Sequence, residues 1–438
     1  MFIRTRITLA RSASGVSEAG FTLIEAMVAL TIGLILATLL TVMFAANGKY
    51  RNDLDRSSRL IENGSYAMER ITGALRLAGY YNELDLSNTK LTLPKRKPDP
   101  CAVRLSVTSS ADSLTQMALN PATTPATVVG DSPLWLGVQG YDAPNATTAP
   151  DLSATSCGTY MTLANLQPGS DVVAIRHSDP CVAGPPADVV AGCDAATTLP
   201  AGTVYLQASG CAPDGSHTGF DGTTLLAGWE LNSVSAAKGT TDVCAAADHD
   251  WCALATDTAL LTLNKIDCNT GSAHQADYHR YLVDIFFIDK NDNASDGIPT
   301  LKLLQLGASG GVPSFSVTSL AEGVQSIQLE YGLDTSVTPD GVADVYTANP
   351  DTYNGCGGPA NACSPQNWAN AVTVKVHLLG RNTEASPVGY TNDKSYTLGL
   401  KADGSANTFG PYNDGFKRHV YEATVRLYSQ GGRREQVL

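Results

Sequence analysis

Residues 20–46 read GFTLIEAMVALTIGLILATLLTVMFAA, and this stretch decides the fold class of the 438-residue chain. From Phe21 to Ala46 the only charged side chain is that of Glu25. At about 1.5 Å per residue, a helix of this length spans the roughly 30 Å hydrocarbon core of a bilayer. Gly20 precedes the apolar run, whereas a secretory signal has its cleavage site after that run. The sequence therefore predicts a membrane helix that the mature protein keeps.

Glu25 is the unusual residue in this tract, because an unpaired carboxylate inside a bilayer costs about 2.5–3.5 kcal/mol. The contiguous string Gly20-Phe21-Thr22-Leu23-Ile24-Glu25 resembles the signal of type IV prepilins and pseudopilins. In that family a membrane peptidase cleaves after the glycine, on the cytoplasmic side, and the new terminal phenylalanine is N-methylated. The resemblance implies cleavage between Gly20 and Phe21, and methylation of Phe21. A single-pass signal anchor is the simpler alternative.

The cleavage would give Glu25 a cation to pair with, namely the new amine of Phe21. In a filament the two groups can meet across neighbouring subunits, which neutralises both and sets the axial register. Pairing within one chain is the alternative, because residues 21 and 25 share a helix face. We therefore expect Glu25 to form the assembly salt bridge.

All ten cysteines lie beyond the apolar tract, and the first of them is Cys101. No two cysteines have C-x-x-C spacing, which disfavours zinc-ribbon and thioredoxin-type sites. Cysteines beyond a membrane anchor indicate disulfides in the periplasm or outside the cell. Short loops favour the pairs Cys181–Cys193, Cys244–Cys252 and Cys356–Cys363.

The helix is predicted to continue beyond the membrane and to stop near Gly79. Apolar residues recur every seven positions, namely Leu54, Ile61, Met68 and Leu75. The apolar residues Ile71 and Ala78 each follow a member of this series by three positions. Charged residues fill most of the other face, so this stripe is expected to pack on a globular head. A coiled-coil dimer is the alternative, which Gly64 and Gly73 disfavour.

From about residue 82 the chain turns into short β-rich runs separated by turn residues. Predicted strands cover 102–107, 171–177, 203–207, 281–288, 301–305, 324–331, 371–379 and 419–428. The stretch 109–160 is rich in Ala, Thr, Pro and Ser, which predicts an exposed, loop-heavy insertion. The predicted fold is α+β and type IV pilin-like: a long N-terminal α-helix packed against an antiparallel β-sheet head with loop-rich, disulfide-bonded insertions. The predicted parts are a leader (1–20), a membrane or filament-core half-helix (21–46), an amphipathic half-helix (47–79) and a β-rich head (80–438).

Several short blocks of the head resemble the PilW family of minor pilins. They are GSDVVAIR at 169–176, IPTLK at 298–302, LAEGVQ at 320–325, LEYGLD at 329–334, and the basic pair at 417–418 that opens a C-terminal strand. Members of that family usually end soon after this strand, whereas this chain adds residues 429–438. The order and combination of the blocks carry the resemblance.

The resemblance implies a minor type IV pilin that primes pilus assembly and is incorporated at low copy near the tip. Implied partners are other minor pilins, the major pilin, the prepilin peptidase and the inner-membrane assembly machinery, with a tip adhesin as a further candidate. The implied location is the inner membrane with a periplasmic head, and then the extracellular pilus. A minor pseudopilin of a type II secretion system is the alternative.

An enzymatic function is not predicted, and neither is a cofactor. The net charge of −13 disfavours nucleic-acid binding, which requires a basic footprint. A membrane-anchored hydrolase is the least favoured alternative, because Ser309 in its Gly-rich loop lacks a coherent triad. Two weak calcium candidates are acidic turns, one with Asp289, Asn291 and Asn293 and the other with Asp334, Asp340 and Asp344. Polar turn chemistry explains both turns without a metal.

Overall fold

The computed structural model describes residues 20, 22–82, 84, 86, 93–94, 96–101, 133–184, 203–209, 230–234, 264–265, 269, 274–310, 312–386 and 389–435. The chain consists of two compact units, one up to Asp55 and one from Arg56 onward. Phe21 and the predicted strand at 102–107 lie outside the described residues. The four domain boundaries drawn from the sequence stay predictions.

The first unit contains the start of helix α1, which runs from Leu23 to Leu77. Its apolar side chains are exposed, for example Leu23 at 79% and Phe44 at 73%. Among the described residues, α1 is the one helix long and apolar enough to cross a membrane. Threonine hydroxyls in this tract donate to backbone carbonyls within the helix (Thr31 to Val28, Thr38 to Ile35, Thr41 to Ala37). The polar groups of this tract are thus satisfied internally, as a lipid environment requires.

In the second unit, α1 buries one face in the head. This face includes Leu60, Gly64, Ala67, Ile71 and Leu75, at spacings of three and four, and the buried Ala78 follows the helix end. The predicted seven-residue stripe is therefore wrong in its first half, because Leu54 and Ile61 are 69% and 56% exposed. A straight helix has 3.6 residues per turn, so a strict seven-residue repeat drifts off the face that packs.

Gly64 allows a close approach between α1 and the head. The ring of Tyr421 lies directly over it, and the Tyr421 hydroxyl donates to the Leu60 carbonyl at 3.0 Å. A Cβ atom at position 64 would overlap that ring, whereas a Cβ atom at Gly73 would meet nothing within 4 Å. The two helix glycines therefore have different roles, although the sequence presents them alike.

Alanine at these two positions is expected to shift stability in opposite directions. Gly64→Ala should lower the free energy of unfolding by about 1–3 kcal/mol, because the tyrosine ring must move. Gly73→Ala should raise it by roughly 0.5–1 kcal/mol, because alanine loses less backbone freedom in a helix than glycine. Chemical denaturation of the two full-length variants checks this, and a destabilisation of equal size in both would contradict it.

In the described ranges, seven antiparallel strands form the larger sheet, in the order β1-β2-β5-β3-β4, with β5 also pairing β6 and β6 pairing β7. They are β1 Val138–Tyr141, β2 Val172–Gly184, β3 Tyr205–Ser209, β4 Glu230–Val234, β5 Tyr278–Asp289, β6 Thr300–Ser309 and β7 Val312–Glu322. Strand β5 pairs β3 through Tyr278–Arg280 and β6 through Asp284–Asp289, so two strands share one of its edges. Ser309 lies at the turn between β6 and β7, where it pairs with Val312.

A smaller antiparallel sheet has the order β13-β10-β8-β9, and a separate hairpin pairs β11 with β12. Their bounds are β8 Val324–Leu333, β9 Val345–Thr347, β10 Ala371–Arg381, β11 Tyr396–Leu400, β12 Ala406–Phe409 and β13 Arg418–Arg426. Helix α2 spans Cys363–Ala369 and helix α3 spans Tyr428–Glu435. The last strand thus ends at Arg426, two residues before its predicted end at 428, and the chain continues as a helix. The α+β architecture with an antiparallel head is confirmed.

The two sheets join where β2 begins. The buried Asp171 carboxylate accepts hydrogen bonds from the backbone amides of Leu329, at 2.8 Å, and Ala143, at 2.9 Å. The Asp171 amide in turn donates to the Ile327 carbonyl at 2.8 Å. One core cluster lies between the buried face of α1 and both sheets, and a second lies on the other face of the larger sheet.

The insertion predicted at 109–160 is loop-heavy over its described part, 133–160, but contrary to the prediction it is partly buried. This part supplies the edge strand β1, and Leu134, Leu136 and Val138 are completely buried. A disulfide joins Cys101 to Cys157 and fixes the segment to the chain that follows α1. Its polar composition belongs to the connecting turns, whereas a few apolar residues fill the core.

Candidate functional site

The N-terminal site is built on the first turn of α1. Thr22 precedes the helix, and its hydroxyl oxygen accepts a hydrogen bond from the Glu25 amide at 3.3 Å. The Glu25 carboxylate accepts in return from the Thr22 amide at 3.1 Å and from the Thr22 hydroxyl at 2.9 Å. This reciprocal arrangement is a capping box, which satisfies backbone amides that the helix leaves unpaired.

The capping box gives Glu25 a role that sequence reasoning missed. The signal was present, since Thr22 and Glu25 have the T-x-x-E spacing of such a box. Gly20 and Glu25 are both exposed, and Phe21 lies outside the described residues. The exposed carboxylate thus stands at the end of an apolar helix surface. Its pairing with the Phe21 amine stays a prediction.

The acidic turn around Asp334 already holds a cation from the chain itself. Asp334 is completely buried, and its carboxylate lies 2.8 Å from Nε of Arg434 in α3. Arg434 also donates to the Asp334 carbonyl at 2.9 Å and to the side-chain oxygen of Asn370. The amides of Gly341, at 3.0 Å, and Asp340, at 3.2 Å, donate to the same carboxylate. The guanidinium occupies the cation position that the sequence had offered to calcium.

The other calcium candidates also have protein partners. Asp344 accepts from the Thr335 amide at 2.7 Å, and Asp340 accepts from the Val342 amide at 2.9 Å. In the second turn, Asp289 contacts Lys302 at 3.3 Å, and Asn291 accepts from the Gly297 amide at 2.9 Å. The side-chain amide of Asn293 donates to Asp292 at 2.8 Å. These contacts are ordinary hydrogen bonds and ion pairs of polar turns. They account for the acidic residues of both turns without a metal ion.

Disulfides are present where the sequence places them in the head. The structure joins Cys356 to Cys363, one of the three short-loop pairs, with a Cα–Cα distance of 5.9 Å. Cys181 is also disulfide-bonded. Cys193, Cys244 and Cys252 lie outside the described residues, so the other two pairs stay predictions. Bonded cysteines indicate an oxidising compartment.

Two family models match this chain. Residues 16–41 match the prokaryotic N-terminal methylation motif, and residues 285–429 match Type IV Pilus-assembly protein W. The first match covers the predicted processing site and the start of α1, and the second covers β6 to β13. The N-terminus of the chain is thus of the prepilin type, and residues 285–429 are similar to the PilW family.

Comparison with individual proteins adds less. No curated protein sequence matches this chain. Among solved structures, the type IV-like pilin TTHA1219 from Thermus thermophilus is 15% identical, covering 34% of this chain and 66% of that one, with a TM-score of 0.18. This chain thus spans about two thirds of that structure's length, and a TM-score this low supports no argument about the fold.

Two of the blocks whose sequence resembles the PilW family contact each other in this chain, and the first of them, at 169–176, lies outside the matched region 285–429. The block at 169–176 starts β2, and the block at 329–334 ends β8. Asp171 of the first block accepts the Leu329 amide of the second at the junction of the sheets. The block at 329–334 also contains Asp334, the partner of Arg434. Blocks that are far apart in sequence therefore meet in the structure.

The methylation motif and the exposed apolar helix indicate that this chain is anchored in a membrane. A component of type IV pilus assembly works with pilins and with assembly machinery. Both matching families consist of structural proteins rather than enzymes.

Proposed function

We propose that this chain is a minor type IV pilin, which primes pilus assembly together with other minor pilins once its leader is cleaved after Gly20 and Phe21 is methylated. It enters the fibre at low copy, near the tip. The supporting observation is the combination of a processing motif before an exposed apolar helix with a PilW-type region in the head. Extraction and docking, rather than catalysis, are its mechanism.

The apolar tract makes this extraction inexpensive. Its side chains leave lipid for an equally apolar filament core, so the free energy of this transfer is small. Glu25 is the exception, because its carboxylate must find a cation in either environment. The specific contacts with neighbouring subunits then come from the head.

The proposed location is the inner membrane with the head in the periplasm, followed by the extracellular pilus. The disulfides Cys101–Cys157 and Cys356–Cys363 support it, because such bonds persist in oxidising compartments. Proposed partners are the major pilin, other minor pilins, the prepilin peptidase and the inner-membrane assembly machinery. A tip adhesin is a further proposed partner.

Mass spectrometry of sheared pili tests this proposal. We expect a chain that begins at methylated Phe21 and is present in far smaller amounts than the major pilin. Deletion of its gene should abolish piliation. A deletion that abolishes protein secretion but leaves piliation intact would favour the pseudopilin of a type II system. An intact leader on the chain in pili would contradict the processing step.

A further inference from the structure

The head encloses a lysine whose ammonium group touches one carboxylate. The Lys97 side chain is 3% exposed, and its Nζ lies 2.6 Å from Oδ2 of Asp351, whose side chain is 9% exposed. Lys97 Nζ also donates to the Gly140 carbonyl. The rings of Tyr141 and Trp368 flank the same nitrogen, with centroids at 4.0 and 5.1 Å. The contact is therefore largely shielded from water.

A buried ion pair is an expensive way to join two segments, because both charges lose their hydration. Burial lowers the pKa of Lys97, although the Asp351 carboxylate opposes this shift. Burial therefore makes the neutral amine, which is the nucleophilic form of a lysine, easier to reach than it is in water.

The two oxygens of Asp351 are in different environments. Oδ2 faces the amine, whereas Oδ1 accepts hydrogen bonds from the Ser364 hydroxyl, at 2.5 Å, and from the Trp368 indole nitrogen, at 2.7 Å. Two donors fixed on one oxygen stabilise negative charge that develops there when a nucleophile attacks the carbon. Oδ2 is left as the leaving oxygen.

A second carboxyl group accompanies the pair. Asp142 directly follows Tyr141, interacts electrostatically with both Lys97 and Asp351, and is hydrogen-bonded to the Asn349 side chain. Burial raises the pKa of Asp142, despite the opposing effects of Asn349 and Lys97. A carboxyl group with a raised pKa holds a proton more readily, which suits the transfer of a proton between the two reacting groups.

We propose that Lys97 and Asp351 condense into an intramolecular isopeptide bond, with Asp142 as the group that carries the proton between them. This bond would be a covalent modification of the head, additional to its disulfides. It requires no cofactor, oxidant or external enzyme.

The reaction balances within the site. A proton passes from the Lys97 ammonium to Oδ2 of Asp351 across their contact, the lone pair of Nζ then attacks Cγ, and the carbonyl electron pair moves to Oδ1. Asp142 takes a proton from Nζ and delivers it to Oδ2, which then leaves as water when the carbonyl reforms. One N–C bond forms, one C–O bond breaks, and an amine plus a carboxylic acid become an amide plus water.

The fold holds the reacting atoms together before any bond forms. The Lys97 amide donates to the Pro359 carbonyl at 2.9 Å, and the Gly358 amide donates to the Asp351 carbonyl at 3.1 Å. Groups fixed in contact react with effective concentrations of about 10⁵–10⁸ M. Condensation also replaces two buried charges by one neutral amide, which removes their desolvation cost. The product would link segments 254 residues apart, a useful brace for a subunit pulled within a fibre.

Mass analysis of the purified full chain, reduced and denatured, tests the proposal. We expect a mass lower by one water than the sequence requires for the observed N-terminus. Peptide mapping should assign this loss to a branched peptide that contains Lys97 and Asp351. A full mass with Lys97 in an unmodified peptide would overturn the proposal and leave an ordinary ion pair.

Three variants separate chemistry from folding. Lys97→Arg keeps the positive charge but should show the full mass. Asp142→Asn should also show the full mass, while still forming the Cys356–Cys363 disulfide as a sign of a folded head. Asp179→Asn is the matched control, because Asp179 pairs with Arg280 elsewhere, and it should lose one water like the wild type. A bond that forms in Asp142→Asn as in the wild type would refute the role of Asp142.

Discussion

Exchanging Glu25 for glutamine is expected to remove the protein from sheared pili while cleavage after Gly20 continues. Glutamine keeps a side-chain oxygen for the capping box with Thr22, but it lacks the charge that would pair with the Phe21 amine. In the glutamine variant the Phe21 ammonium would lack its counter-charge, and an unpaired charge in an apolar core costs about 2.5–3.5 kcal/mol. An ion pair that offsets this cost corresponds to more than a tenfold change in the equilibrium between membrane and filament. Quantitative mass spectrometry of sheared filaments against membranes measures the ratio.

Thr22→Val is the matched control for this experiment. Valine removes the hydroxyl of the capping box and leaves the Glu25 charge in place. The cost to the helix start is about 1 kcal/mol, as for the loss of other threonine caps. We expect incorporation of Thr22→Val to stay close to that of the wild type. Loss of Thr22→Val from the fibre, with normal incorporation of Glu25→Gln, would assign the role of Glu25 to the cap rather than to its charge.

Replacing Arg434 by methionine is expected to cause the largest loss of stability in the head. Methionine retains the apolar stem but leaves the Asp334 carboxylate buried without its cation. Breaking a buried ion pair costs about 3–5 kcal/mol, and the partial exposure of Arg434 places this variant near the lower value. Denaturation of the full-length protein in detergent near pH 7 measures this loss. Arg426→Ala, which removes an exposed pair with Glu435, should cost roughly 1 kcal/mol or less.

The same pair gives the Arg434 variant a distinctive pH dependence. Burial tends to raise the pKa of Asp334, but Arg434 and the backbone amides outweigh it and lower the pKa below its ordinary value. A lowered folded-state pKa contributes stability above the unfolded value, and this contribution is lost as the pH falls through the folded value. The difference between wild type and Arg434→Met should therefore shrink below about pH 4. A difference that stays constant with pH would indicate lost packing instead of a lost ion pair.

Local patterns in the sequence predicted the anchor and most strands well. The apolar tract and the processing motif depend only on neighbouring residues, and both are supported by the described helix and by the methylation-motif match. Strands such as β5, β8 and β10 were located because short β-rich runs between turn residues have a local signature. The strand at 102–107 lies outside the described residues and stays a prediction.

The errors have a common physical cause, which is that packing partners are not encoded by spacing. The seven-residue stripe placed Leu54 and Ile61 in the core, yet α1 turns Leu60, Gly64 and Ala67 toward the head. Gly64 is a contact point only because the distant Tyr421 lies over it. In the same way, a polar composition at 133–160 concealed an edge strand with buried residues.

By itself, the sequence determined that this chain has a prepilin-like start, an apolar helix and a β-rich head, because solvent and lipid act on each residue locally. Only the tertiary structure decided that Arg434 neutralises Asp334 and that Lys97 meets Asp351, pairs separated by 100 and 254 residues. The entropy of closing a loop grows only slowly with its length, so sequence distance neither forbids nor favours such pairs. Such pairs form where the fold buries both charged groups side by side, because a charge removed from water needs a partner.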